Sequence, residues 1–246
     1  MAARNIKLVI CYDGSGYHGW QVQPEHDTIE QQIETALEKL CGQKIKVTGA
    51  SRTDAGVSAL GQVANFFIDS PIPTQNFAKA LNMYLPDEIA IAEAVEVDQS
   101  FNSITCTKNK WYRYTLCTSD VRPVLSIKHC WHYKGGLDIS KMDQAAKLFV
   151  GRQDFKSFAS AADERQSSVR TVSRCEVTCE GENIYLDIEG DGFLYNMVRN
   201  IMGTLVEIGR GRWEPEIVTE ILRAKDRTAA GPLAPAEGLC LMRIDY

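Results

Sequence analysis

The sequence predicts an α+β protein made of two similar halves. Three observations lead there. Segments with period-two apolar alternation and segments with a helical apolar stripe follow one another along the whole chain. No low-complexity or Pro/Gly/Ser-rich linker interrupts them. Residues 1–100 and residues 101–246 each hold both kinds of segment in similar amounts, which suggests duplicated α+β units. Sequence similarity between the halves is too weak to establish a repeat.

The elements follow in order. Asn5 to Tyr12 alternates and reads as a strand. Asp27 or Thr28 caps a helix to about Leu40, with Ile29, Ile33, Ala36, Leu37 and Leu40 on one stripe. Lys44–Gly49 and Gly61–Ile68 read as strands, Gln75–Met83 as a helix, and Ile89–Val97 as a strand. Lys110–Cys117 opens the second half as a strand. A helix from Ser140 to about Val150 stops at Gly151. Strands near 168–179 and 183–190 precede an apolar helix from Phe193 to about Ile208, ended by Gly209. Glu214-Pro215 opens a further helix, with Pro in its first turn. Leu239–Ile244 is the last strand.

Composition narrows the function classes. The chain has 246 residues, 44% hydrophobic and 24% charged, the profile of an ordinary soluble globular protein. No apolar run reaches the roughly 18 residues of a membrane span. Leu8-Val9-Ile10-Cys11 is too short for a signal-peptide core, so a cytoplasmic location is expected. Eight cysteines without a Cys-x-x-Cys pair read as reduced thiols, not as a metal site or disulfide framework. His129 and His132 lack the surrounding ligands of a metal site. The net charge of −5 argues against nucleic acid, yet between Ile104 and Lys134 six basic residues face Asp120 alone. Trp111, Tyr112, Tyr114, Trp131 and Tyr133 lie among them. That mixture suits a polyanion with bases to stack on. It equally suits a strand with an aromatic inner face and a solvated basic outer face.

Two loops carry candidate chemistry. Ser51-Arg52-Thr53-Asp54-Ala55-Gly56-Val57 places an arginine and a carboxylate two residues apart between two strands, whose rigid walls suit a reacting group. The plainer alternative is an Asx turn. Gly14-Ser15-Gly16-Tyr17-His18-Gly19 matches G-x-G-x-x-G after a strand. A dinucleotide site needs that loop to open directly into a helix. Trp20 to Pro24 intervenes, so the nucleotide-cofactor reading is set aside.

Tyr12-Asp13-Gly14-Ser15-Gly16-Tyr17-His18-Gly19-Trp20-Gln21, followed by Ser51–Val57, resembles the TruA family of tRNA pseudouridine synthases. Further matches come in the family's order. They are Phe101, Tyr112-Arg113-Tyr114, Asp154-Phe155 with Ser157-Phe158, Met197-Val198-Arg199-Asn200 with Met202-Gly203, Lys225-Asp226-Arg227, and Ala234 to Leu239. The resemblance covers nearly the whole chain. It implies a pseudouridine-synthase fold with a mixed, mainly antiparallel sheet and a central cleft. It implies an isomerase that converts uridine to pseudouridine in tRNA, usually at positions 38 to 40 of the anticodon arm. It also implies a homodimer that needs no cofactor and no metal.

The resemblance further assigns roles. Asp54 takes the place of the family's catalytic aspartate, as a nucleophile at C1′ or as a base. Arg199 is its partner, since a nearby arginine favours the ionised carboxylate. Without the resemblance, Arg199 reads as an arginine leaving an apolar helix to bond a carbonyl. Tyr112 corresponds to the tyrosine that stacks on uracil, Arg52 to an RNA-contacting arginine that helps hold the base out of the helix, and Leu239 to a wall of the uracil pocket or a plain core leucine. Four positions depart from the family's habit. Ser51 stands where Gly is common, Ser58 where His is common, Ile104 after Asn102-Ser103 where many members carry arginine, and Gln153 where His is common. Losing a phosphate-binding arginine bears on which RNA is recognised. The alternative function is an RNA-binding or tRNA-chaperone relative without chemistry, which would not require the Asp54 carboxylate.

Overall fold

A computed structural model describes residues 3–163 and 165–246, with ten strands and five α-helices among them. By its contacts the chain divides into two units. Unit 1 is Met1–Lys108 with Leu241–Tyr246, and unit 2 is Asn109–Cys240. The boundary expected at residue 100 thus falls eight residues later, and the C-terminus returns to the first unit.

Side-chain chemistry explains that return. Asn5 and Asn65, both buried, face each other across two strands. Asn5 Nδ2 donates to the carbonyls of Asp98 (3.0 Å) and Phe101 (2.9 Å). Asn65 Oδ1 accepts from Ser103 N (3.0 Å). The Tyr246 hydroxyl donates to Ser103 O at 2.9 Å, and its ring packs on Phe101 at 4.9 Å. Buried amides need every partner they can reach, so residues 98–103 and 246 are tied to unit 1.

In unit 1, β1 (Arg4–Tyr12) runs antiparallel to both β3 (Ser58–Ile68) and β4 (Ile89–Val97). The short β2 (Thr48–Gly49) pairs with β3. Ile6, Leu8 and Ile10 alternate along β1 and are fully buried, each contributing roughly 1.5–3 kcal/mol. Helix α1 (Ile29–Cys41) buries Ile29, Ile33, Ala36 and Leu37 of its expected stripe, while Leu40 is only half-buried, and α2 (Thr74–Asn82) buries Phe77 and Leu81. Lys44–Gly49 was expected to be a strand throughout, but only Thr48–Gly49 is. Ile45 and Val47 are buried and create the alternation. Val47 N, however, donates to Glu34 Oε1 (3.2 Å) instead of a neighbouring strand.

In unit 2, β5 (Asn109–Cys117), β9 (Asn183–Gly190), β8 (Val169–Glu180) and β7 (Gly151–Asp154) pair antiparallel in that spatial order. The short β6 (Trp131–His132) lies parallel to β5 and makes the sheet mixed. Helix α3 (Ile139–Lys147) is capped by Asp138, whose side chain accepts from Lys141 N at 3.0 Å. It ends three residues earlier than expected. From Leu148 to Val150 the amides bond to carbonyls three residues back, a tightened last turn. Helix α4 (Met197–Gly209) begins four residues later than expected, because Asn196 takes a left-handed conformation (φ 63°). All of α4 but Arg199 is buried, the polar Asn200, Thr204 and Glu207 included. Helix α5 (Ile217–Ala224) follows, and β10 (Leu239–Asp245) closes the chain.

The core of unit 2 centres on Phe149, Phe155 and Phe158, all fully buried, with Phe149 edge-on to Phe158 at 5.0 Å. Phe158→Ala is expected to destabilise the protein by about 3–5 kcal/mol, measured by chemical denaturation. A loss under ~1 kcal/mol would show that the cluster closes around the gap.

Candidate active site

Unit 1 supplies the Asp54 loop, residues 50–57 between β2 and β3. Gly56 has φ +80°, and Val57 N donates to Asp54 O at 3.1 Å. These are the marks of a type II turn with glycine at its third position. The loop is buttressed by side chains from the strands beside it. The Tyr12 hydroxyl bonds Thr53 Oγ1 at 2.8 Å. Gln62, fully buried on β3, takes the Ser51 carbonyl at 2.6 Å and the Ser51 amide at 3.3 Å. Arg52 is exposed, Thr53 is buried, and Asp54 lies between them in exposure.

The glycine-rich segment 14–20 is the floor of this loop. Trp20 N donates to Thr53 O (3.1 Å) and Gly56 N to Tyr17 O (3.3 Å). A Cβ on Gly14 would stand 2.0 Å from Val57 O, closer than any atom can approach, so only glycine lets the two backbones meet. The first amides of α1 are already used. Ile29 N donates to Gly19 O (3.1 Å) and Glu30 N to Trp20 O (3.0 Å). Thr28 occupies the N-cap position, but its side chain makes no capping bond. The pattern that looks like a dinucleotide fingerprint is therefore a packing device. The helix N-terminus that would bind pyrophosphate is spent on the segment's own carbonyls.

Unit 2 carries Tyr112, Arg199 and Leu239. Alternation along β5 puts Tyr112 and Tyr114 on one face and Trp111 and Arg113 on the other. Tyr112 is buried and stands edge-on to Phe193 at 5.2 Å and 82°. Arg113 forms a two-pronged pair with Asp187, Nε to Oδ1 and Nη2 to Oδ2, both at 2.9 Å. Trp111 Nε1 donates to the same carboxylate at 2.7 Å. Arg113 and Trp111 fit neither reading of the basic-aromatic stretch, since aromatic and cation share one face and neither is left to solvent. They satisfy a buried aspartate.

Arg199 sits in the first turn of α4. Its Nε donates to Ala234 O (2.8 Å) and its Nη1 to Asn196 Oδ1 (3.1 Å). The Tyr114 hydroxyl donates to Pro235 O (2.8 Å), and Thr115 N to Gly238 O (2.8 Å). Burial pushes that tyrosine's pKa up, so the hydroxyl keeps its proton and remains a donor. These bonds shape the turn before Leu239, which is buried at the start of β10. The neighbouring motifs interlock as well. Arg227 Nη2 donates to Asn200 Oδ1 (2.8 Å), Asn200 Nδ2 to Phe158 O (2.8 Å), and Asp226 N to Ser157 Oγ (2.9 Å). Of the five candidate residues, Arg52 and Asp54 share one loop in unit 1, and Tyr112, Arg199 and Leu239 belong to unit 2.

The sequence profile described as tRNA pseudouridine synthase matches residues 8–104 and 145–246. The chain belongs to the tRNA pseudouridine synthase family. It is 47% identical to a tRNA pseudouridine synthase A from Clostridium kluyveri over 99% of this chain and 100% of that one. The Moorella thermoacetica protein of the same name is 46% identical over 98% of this chain and 99% of its own. A tRNA pseudouridine synthase A 2 from Clostridium perfringens is 43% identical over 99% and 100%.

Within a tRNA pseudouridine synthase, two of the four departures, Ser58 and Gln153, bond through their own side chains here, whereas Ser51 and Ile104 are held through their backbones. Ser58 Oγ accepts from Gly14 N at 3.1 Å, fastening the floor of the Asp54 loop. The Ser51 backbone is held by Gln62. Asn102 Oδ1 accepts from the amides of Ile104 (2.9 Å) and Thr105 (3.1 Å), an Asx turn that leaves Ile104 exposed. Gln153 Nε2 donates to Leu148 O (2.9 Å) and Val150 O (3.3 Å), closing the end of α3. Sequence reasoning missed Gln62, Tyr12 and Phe193 as supports. A glutamine inside an otherwise apolar strand was the available signal for the first.

Gly14→Ala is expected to displace Val57 and with it Asp54. Turnover should fall at least about tenfold while far-UV circular dichroism stays near wild type, since about 1.4 kcal/mol of misplacement already costs that much. Wild-type turnover in the variant would show that the loop does not depend on this floor.

Proposed function

We propose that this chain isomerises uridine to pseudouridine in the anticodon arm of tRNA, at positions 38, 39 and 40. What carries the reading is Asp54, held on a buttressed loop in a chain that belongs to the tRNA pseudouridine synthase family. The reaction breaks the ribose C1′–N1 bond, turns the uracil, and joins C1′ to C5. N1 gains a proton and C5 loses one, so no atom or electron is added overall. Positive charge develops at C1′ as in glycoside chemistry, where a carboxylate stabilises or captures it. Asp54 is that carboxylate.

The Tyr112 ring offers the extruded uracil a stacking surface, with Phe193 fixing the ring's orientation from its edge. Arg199, anchored by Ala234 O and Asn196 Oδ1, supplies the cation of the site. Leu239 lines the uracil pocket. Arg52, exposed on the Asp54 loop, contacts RNA and helps hold the base out of the stack. The protein acts as a homodimer in the cytoplasm and needs no cofactor.

Asp54→Asn preserves side-chain shape but removes the negative charge. Pseudouridine formation in a tRNA transcript, read by nucleoside chromatography after digestion, is expected to fall below about a hundredth of wild type while tRNA binding persists. Turnover above that level would refute the assignment of the carboxylate. Tyr112→Phe keeps the ring and removes only the hydroxyl. Affinity should hold and rate should drop several-fold; an unchanged rate would limit Tyr112 to stacking. Transcripts with single U-to-C changes at positions 38, 39 and 40 test the target. Modification confined to the D-arm or T-arm would overturn that choice and leave the reaction standing.

A further inference from the structure

We propose that the stacked imidazoles of His18 and His26 form a platform for a nucleobase of the tRNA beside the target uridine. The inference rests on the tRNA-modifying reading above.

The two rings lie face to face, their centroids 4.2 Å apart and their planes 22° from parallel, and both residues are exposed. A small hairpin brings them together. Gln23 and His26 form an isolated antiparallel bridge. Pro24 and Glu25 make the turn between them, and Glu25 takes the left-handed conformation (φ 63°) that a side chain makes costly. Backbone groups and two other side chains close the hairpin. His18 N donates to Asp27 O at 2.9 Å, Gln23 Nε2 to His18 O at 2.8 Å, and Val22 N to Glu30 Oε2 at 2.9 Å. Among the described residues, the imidazole rings add only their mutual stack.

The pair adjoins the Asp54 loop, because both chain neighbours of His18 are pinned to it. Gly19 packs so closely that a Cβ there would stand 2.6 Å from Thr53 O and 3.1 Å from Ala55 N. Tyr17 O accepts from Gly56 N at 3.3 Å. The surroundings select the ligand. Glu25 and Asp27 flank His26 and are both exposed. Their charges repel a phosphate. The flat face of a base carries no net charge, and histidine is among the side chains on which unstacked RNA bases lie. Extruding a uridine from a stem takes a stacking partner away from its neighbours. A platform beside the Asp54 loop restores a partner to one of them.

The test is binding of the full-length protein to a ligated tRNA with one target uridine, at position 39, over a series of KCl concentrations. His18→Ala and His26→Ala are each expected to weaken binding about tenfold, the loss of one base–aromatic stack. The salt slope should not change, because stacking releases no counterions. His26→Phe should keep wild-type affinity. A second tRNA that lacks the base at position 38, and a third that lacks it at position 40, separate contact with RNA from mere support of the loop. With one of them the wild-type protein should lose about as much affinity as His18→Ala does, and the variant should lose nothing further. Losses that multiply with both tRNAs would overturn the platform, as would wild-type affinity in both alanine variants. A slope lower by about one would also overturn it, since that marks a phosphate contact. A wild-type protein that neither binds nor modifies the intact tRNA would instead sink the enzymatic reading itself.

Discussion

The Asp54 loop has no strand ladder of its own, and its shape is set by another stretch of backbone pressed against it. Residues 14–20 meet residues 53–57 through main-chain hydrogen bonds, and at Gly14 the two chains come too close for any side chain. Backbone against backbone is a stiff contact. It has no rotamers to relax. The Tyr12, Gln62 and Ser58 side chains complete the hold. A reacting carboxylate benefits from such support, because misplacement by about 1 Å can cost a hundredfold in rate.

Unit 2 uses a different device for the same end. Its motif residues support one another through side chain to main chain bonds. Arg199 takes the Ala234 carbonyl, Tyr114 takes that of Pro235, and Asn200 joins Phe158 to Arg227. Polar groups buried in this way are costly when unpaired. The network therefore favours one arrangement of α4 and the turn before Leu239 over all others. The face of β5 that carries Tyr112 is separated by simple alternation from the face that carries Arg113. One strand can thus serve a site on one side and satisfy a buried aspartate on the other.

By itself the sequence determined the α+β class, nearly every element, and the loop that carries Asp54. Those properties are local. Period-two and helical stripes survive in the order of residues, and Ser51–Val57 is contiguous. The sequence also pointed to Tyr112 and Arg199, because their motifs are contiguous too. It did not reveal that Lys44–Val47 leaves the ladder, since a buried alternation looks the same whether the amides bond a strand or Glu34. It did not show that Asn196 delays α4, or that the C-terminus rejoins unit 1. It placed six cations among the aromatics of residues 104–134 but could not say which were engaged. Only the tertiary structure decided that Arg113 belongs to Asp187. Its partner lies more than fifty residues away along the chain, and charge neutralisation depends on distance in space rather than along the sequence.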